Sequence, residues 1–155
     1  MSSTLVTARR ATVSNTSASV ARRAVTNVEL KGPRTAAPVV ALVEDYVRNR
    51  GWQYEDFLVS CFDRKQIIEA KRLCPRLRIG VLIERVSRDV AATAGRIGAF
   101  SINPHRERVT PELVADAHRR GLKVFVYTVN EPADIARMRA MGVDGVFCDY
   151  PERCR

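Results

Sequence analysis

The chain has 155 residues, 46% of them hydrophobic, and a formal net charge of +9 from 26 Lys and Arg against 17 Asp and Glu. That length allows one domain with a substantial core but not a complete eight-stranded α/β barrel of about 250 residues. No apolar run reaches the length of a transmembrane helix, and Cys61, Cys74, Cys148 and Cys154 show neither Cys-x-x-Cys spacing nor histidines at zinc-ligand distance. Reduced thiols and a cytoplasmic location are the expectation.

Residues 1–26 stand apart. They contain Arg9, Arg10, Arg22 and Arg23 and no acid, which leaves the remainder with 22 positives against 17 acids, or +5. An Arg-rich, Ser-rich, acid-free run has the composition of an organelle import peptide, and a disordered tail not native to the fold has it too. It has no apolar core of secretory type. The expected organisation is a low-complexity basic segment over 1–26 followed by one domain over 27–155.

The first strand is Asn27-Val28-Glu29-Leu30-Lys31. Alternation turns Val28 and Leu30 one way and Asn27, Glu29 and Lys31 the other. An acid and a base on one face, backed by apolar residues, suit the mouth of a parallel barrel, although an exposed strand face with a screened ion pair has the same pattern. Val39, Val40, Leu42, Val43, Tyr46 and Val47 then recur at helical spacing up to a Gly51 cap. Phe57–Phe62 reads as a strand, and Asp63 caps a helix through Leu73 that stops at Cys74-Pro75. Arg78–Leu82 is the next strand, Ser87 caps a helix through Ile97, and Ala99–Ile102 follows as a strand. Thr110-Pro111-Glu112 has the cap, the proline and the first-turn acid of a helix start. Lys123–Val129 is a strand, Asn130–Pro132 opens a helix that closes at Gly142, and Gly145–Cys148 is the last strand.

Six strands alternating with helices predict parallel pairing, and strands apolar on both faces predict a sheet covered by helices. Periodicity fits a doubly wound sheet and a barrel alike. No glycine-rich phosphate fingerprint follows any strand, which counts against a dinucleotide-binding fold.

Six segments in order carry a family resemblance. They are Asn27-Val-Glu-Leu-Lys31, Leu58-Val-Ser-Cys-Phe-Asp63, Arg78-Ile-Gly-Val-Leu82, Ser101-Ile-Asn-Pro104, Val124-Phe-Val-Tyr-Thr-Val-Asn-Glu-Pro132 and Gly142-Val-Asp-Gly-Val-Phe-Cys-Asp-Tyr-Pro151. Together they resemble the glycerophosphodiester phosphodiesterases. The resemblance implies an α/β fold, here an incomplete TIM-type (β/α) barrel of about six parallel strands with outer helices. It implies hydrolysis of a glycerophosphodiester to glycerol 3-phosphate and an alcohol, with a divalent metal, Mg²⁺ or Ca²⁺, on three carboxylates. Glu29 matches one of those carboxylates and Lys31 the phosphate-facing lysine. Phe62 and Tyr127 match substrate-pocket positions, Tyr127 standing where the family has Trp.

The departures from the family are large. The family's two catalytic histidines, from His-Arg-Gly and His-Asp motifs, and its Glu-x-Asp metal pair are absent, so the chain reads as beginning at the family's third strand, with catalytic residues unknown. His118 reads as a solvated helix residue and His105 as a loop residue after a strand. Cys61 and Cys148, where the family has Ser and Thr, read as small buried residues. The expected function is therefore phosphoric diester hydrolysis of the family type, impaired in this chain. The alternative is a non-catalytic remnant or phosphate-binding module of the same fold. The expected partner is a small-molecule glycerophosphodiester. No nucleic acid is expected, since acids and bases mix on the helix faces and aromatics are few. Open sheet edges make an oligomer an expectation.

Overall fold

The computed structural model describes residues 25–150 and Arg153. The basic segment read over residues 1–26 lies outside that description except for its last two residues. The elements are β1 (Thr26–Glu29), α1 (Ala36–Asn49), β2 (Phe57–Cys61), α2 (Arg64–Leu73), β3 (Ile79–Ile83), α3 (Val90–Arg96), β4 (Ser101–Pro104), α4 (Pro111–Arg119), β5 (Lys123–Val126), α5 (Pro132–Ala140) and β6 (Gly145–Val146). Every adjacent pair of strands is parallel, and their order is the chain order from β1 to β6. A doubly wound sheet would reverse direction at a switch point. Stepping one way across the sheet makes this an incomplete TIM-type barrel.

One face of each strand packs on the helices. Leu30, Val59, Cys61, Ile79, Val81, Ile83, Ile102, Val124, Val126 and Val146 join Val40, Val43, Ile67, Ala70, Ala91, Val114, Ala117 and Met138 in one buried core. Val28 packs against it as well, so alternation leaves Asn27 and Glu29 on the opposite, concave face. Leu58, Ser60, Leu82, Ser101, Asn103 and Phe125 are also buried but outside that core, and they line the concave side.

Local chemistry sets the joints between elements. Asp63 accepts a hydrogen bond from the Lys65 backbone N–H at 2.8 Å, and Thr110 accepts from Leu113 N–H at 3.2 Å with Pro111 at the first helical position. Both are the expected caps. One helix start differs from expectation. Ser87 does not cap a helix: its hydroxyl donates to Asp89 at 2.7 Å, and α3 begins at Val90 with Asp89 in front of it. The Asn130–Pro132 opening holds, with α5 starting at Pro132, and Asn130 also ties the segment after β5 to the end of β6, donating to the Asp149 carboxylate at 2.8 Å and accepting from the Asp149 N–H at 2.9 Å. The regular ladders of β5 and β6 stop at Val126 and Val146, short of the expected Val129 and Cys148, while β3 and β4 run on to Ile83 and Pro104. Beyond Val126 and Val146 the pairing continues as single links, Tyr127 N–H to Pro104 O at 3.1 Å, Phe147 N–H to Val126 O at 2.8 Å and Val129 N–H to Phe147 O at 2.9 Å.

Candidate active site at the strand ends

The C-terminal ends of the six strands form a mouth, and the βα loops form its rim. Lys31 Nζ lies 3.8 Å from Glu29 Oε2, with the lysine side chain 63% exposed. The Leu30 N–H donates to Ser60 O at 2.8 Å, which carries β1 pairing one residue past its regular end. Phe62, the residue after β2, stands exposed, and its ring meets that of Tyr127 edge to face at 6.0 Å between centroids.

Tyr127 is held from several sides. Its phenol donates to Ile83 O at 3.0 Å, its N–H donates to Pro104 O at 3.1 Å, and its carbonyl accepts from Arg106 N–H at 2.8 Å. Burial pushes the Tyr127 phenol pKa up, and the negative charges of Glu84 and Glu29 add to that shift. The carboxylates of β1 and of the loop after β3 therefore act on the same ring. The four residues singled out from the sequence thus form two touching pairs on one mouth, Glu29 with Lys31 and Phe62 with Tyr127.

His105, read from the sequence as a loop residue after a strand, and Glu84 also sit here. His105 forms a parallel bridge with Tyr127, and its ring centroid is 5.6 Å from the Tyr127 ring. Its Nδ1 accepts from the Glu107 N–H at 3.4 Å, which leaves Nε2 to carry the proton in the neutral ring. It belongs to the wall of the mouth and is more than a surface loop residue. Period-two alternation from Asn103 was the available signal. Glu84 had no such signal, because it lies beyond the end of β3.

Below the mouth the concave face is polar and tight. Ser60 and Asn103 are fully buried, and Ser60 Oγ, Asn103 Nδ2 and Asn27 Oδ1 have no hydrogen-bond partner among the described residues. Ser101 Oγ donates to Asn103 Oδ1 at 2.7 Å. Gly80 makes room for this cluster: a Cβ there would fall 2.8 Å from Asn103 Nδ2 and 2.9 Å from Ser101 Oγ. Only glycine fits that approach without movement.

Other candidates fall away from the chemistry. The Cys61 thiol donates to Leu30 O at 3.2 Å, and burial raises its pKa, the reverse of what a thiolate nucleophile needs. Cys148 is buried on the helix-facing side and bonds with Tyr150 O at 3.2 Å. His118 is not simply solvated: its Nε2 donates to Asp144 at 2.7 Å at the N-terminal end of the barrel, opposite the mouth. Among the described residues no three His, Cys, Asp or Glu side chains gather as metal ligands. Glu29 offers a hard cation one carboxylate, a poor fit to an ion that takes six or more oxygens. No helix among the described residues is long and apolar enough to cross a membrane.

Parallel strands in sequential order, helices outside, and a mouth lined by acid, base and aromatic side chains define a TIM-type barrel protein whose chemistry belongs at its strand ends. The chain belongs to the glycerophosphoryl diester phosphodiesterase family, whose sequence profile matches residues 15–153. The match opens inside the segment read as a basic tail. A glycerophosphodiester phosphodiesterase of Caldanaerobacter subterraneus is 34% identical over 98 residues, covering 63% of this chain and 40% of that protein. One of Bacillus altitudinis is 30% identical over 131 residues, covering 82% of this chain and 53% of its own length. The crystal structure of a candidate glycerophosphoryl diester phosphodiesterase from Silicibacter pomeroyi superimposes with a TM-score of 0.73 at 33% identity, over 85% of this chain and 49% of that one. A phosphodiesterase of Oleispira antarctica, solved with the product sn-glycerol-3-phosphate, shares the fold at a TM-score of 0.73 and 22% identity, over 84% of this chain and 53% of that one. The chain thus spans about half, or less, of the length of these relatives.

Proposed function

We propose that this chain supplies the substrate-holding side of a glycerophosphodiester phosphodiesterase. The net reaction of such an enzyme converts a glycerophosphodiester and water to glycerol 3-phosphate and an alcohol. In this reading the Lys31 ammonium faces the phosphoryl oxygens, and Phe62 and Tyr127 wall the glycerol backbone. Glu29 offers one carboxylate to Mg²⁺ or Ca²⁺, which this chain holds weakly. What supports the reading is family membership together with one mouth that carries both the Glu29–Lys31 and the Phe62–Tyr127 pair. A cytoplasmic location goes with it, because Cys61, Cys74 and Cys148 are buried free thiols.

Hydrolysis by this chain alone is expected to be slow or absent. The sequence contains no His-Arg-Gly, Glu-x-Asp or His-Asp motif, and each lost general acid or base typically costs about 10² to 10⁴ in rate. A phosphate-binding module without turnover is the second reading, favoured by the same missing motifs.

Calorimetric titration with glycerol 3-phosphate tests recognition, and release of glycerol 3-phosphate from glycerophosphocholine with added Mg²⁺ or Ca²⁺ tests turnover. Binding that Lys31→Ala and Tyr127→Ala each weaken, with little turnover, is the expected result. The same assay on a fusion supplying the missing motifs separates an enzyme part from a binding module. No binding of glycerol 3-phosphate, or binding indifferent to both substitutions, would overturn the reading.

A further inference from the structure

Two features coincide on the mouth loops, although among the described residues Lys71, Arg96 and Arg139 on the helices also lack an ion-pair partner and Leu42, Ile68 and Leu73 are exposed apolar residues there. The first is unpaired positive charge. Arg34, Arg64, Lys65, Arg85, Arg88 and Arg108 are all exposed on loops or helix starts around the mouth, and none has an ion-pair partner among the described residues. On the helices, Arg48, Arg50, Arg72, Arg119, Arg120 and Arg137 each lie 2.8 to 3.2 Å from a carboxylate. Residues outside the description add a single acidic side chain, Glu152, that could change this count. Nor does local electrostatics favour the rim cations where they stand. Arg64 and Lys65 occupy the first turn of α2, where the helix dipole opposes positive charge and the one nearby carboxylate, the Asp63 cap, is engaged by the Lys65 backbone N–H.

The second feature is apolar. Phe62, Val86 and Tyr150, half of the exposed large apolar residues, stand on these same loops, at 49%, 41% and 46% exposure. One phosphodiester needs one or two cations, and Lys31 already faces the mouth. The six cations outnumber the exposed acids Asp63, Glu84, Asp89 and Glu107 on the same loops, and such a surplus interleaved with protruding apolar side chains has the chemistry of a surface that meets anionic headgroups and inserts shallowly between them.

We propose that the mouth rim docks on an anionic phospholipid surface. If Proposed function holds, the mouth then opens toward the bilayer, and the phosphodiesters it meets are those released at that surface. Docking itself requires no hydrolysis, so the two can fail separately.

The test is co-sedimentation of the full 155-residue chain with vesicles of phosphatidylcholine alone and of phosphatidylcholine with phosphatidylglycerol. Binding is expected to the anionic vesicles only and to be lost at high salt. Arg85→Glu with Arg88→Glu should lower partitioning roughly tenfold or more. Arg64→Gln with Lys65→Gln should lower it from an independent loop, and Val86→Asp should lower it without touching a cation. Arg139→Glu, a charge reversal at the far end of α5, should change it little. Far-UV circular dichroism checks that each variant is folded. Equal binding to neutral vesicles, no binding to either, or an Arg139→Glu effect as large as that of the loop pair would overturn the proposal. So would tighter retention on single-stranded DNA that depends on Arg85 and Arg88 and ignores Val86, because the rim would then be a nucleic-acid face.

Discussion

The Tyr127 phenol donates a hydrogen bond to the Ile83 carbonyl at 3.0 Å, tying the end of β5 to the end of β3 across β4. The same carbonyl accepts from the His105 N–H at 3.3 Å, so the three strand ends are fastened at one atom. Tyr127→Phe keeps the ring against Phe62 and His105 and removes only this bond. Because Ile83 O keeps a partner, the cost should stay near about 1 kcal/mol. A downward shift of the urea midpoint with an unchanged slope would show it.

At the other end of the barrel, Asp144 gathers Lys123 Nζ at 2.8 Å, His118 Nε2 at 2.7 Å and the Val124 N–H at 2.8 Å. Burial acts to raise its pKa, but the hydrogen bonds from Lys123, His118 and Val124 outweigh it and hold the carboxyl below the ordinary aspartate value of 3.8. A depressed folded value means that the contribution is complete above the unfolded pKa and is lost as pH falls through the folded one. Asp144→Asn should therefore destabilise the protein at neutral pH by about 1 to 3 kcal/mol. The gap between wild type and variant should close only below about pH 4. Urea midpoints measured for both across the acid range decide it, and a gap independent of pH would contradict the ionic account.

Much of this architecture is legible in the residues, because caps and periodicity are local signals. Asp63 and Thr110 cap where a short polar side chain precedes an apolar run, and Val28 and Leu30 reach the core as alternation requires. Ser87 misled because a hydroxyl two residues before Asp89 finds that carboxylate before it finds a backbone N–H. His118 and Asp144 are 26 residues apart, and nothing local announces that they meet. At the mouth, Glu29 and Lys31 are visible in one strand, whereas the approach of Glu84 and His105 to Tyr127 is a product of barrel curvature. Ser60 Oγ and Asn103 Nδ2, without partners among the described residues, are invisible for the same reason.

Gly80 gives a test of how tightly the concave face is packed. Its neighbours in register are Ser60 on β2 and Ser101 on β4, and an added Cβ would be forced to within 2.8 Å of Asn103 Nδ2. Gly80→Ala should cost about 1 to 3 kcal/mol, the usual range for overpacking. Part of that cost should vanish in an Asn103→Ala background, where the amide is gone and only Ser101 Oγ, at 2.9 Å, still obstructs. A double-mutant cycle by urea unfolding reads the coupling. Additive effects would mean that the strain lies in the contact with Ser101 Oγ or in the β3 backbone and not in the contact with Asn103.

The Glu29–Lys31 pair sets the sign of the last expectation. At 3.8 Å, and with the lysine mostly in solvent, the pair contributes little to stability, on the order of 0 to 1 kcal/mol. Under the proposed function it matters more for binding, because there the Glu29 carboxylate competes with phosphate for Lys31 and repels the incoming dianion. In the presence of a chelator, Glu29→Gln should therefore tighten glycerol 3-phosphate binding by roughly two- to fivefold, while Lys31→Ala should weaken it. Raising the salt concentration should shrink both effects, since the pair is exposed. Adding Mg²⁺ or Ca²⁺ should change the wild-type affinity only slightly, because one carboxylate and water make a weak site for a hard cation. Titration of the three proteins with and without the metal separates the possibilities. A strong metal-dependent gain that disappears in Glu29→Gln would mean that Glu29 holds the ion after all. Weaker binding by Glu29→Gln in chelator would mean that the carboxylate positions Lys31 and does not compete with its ligand.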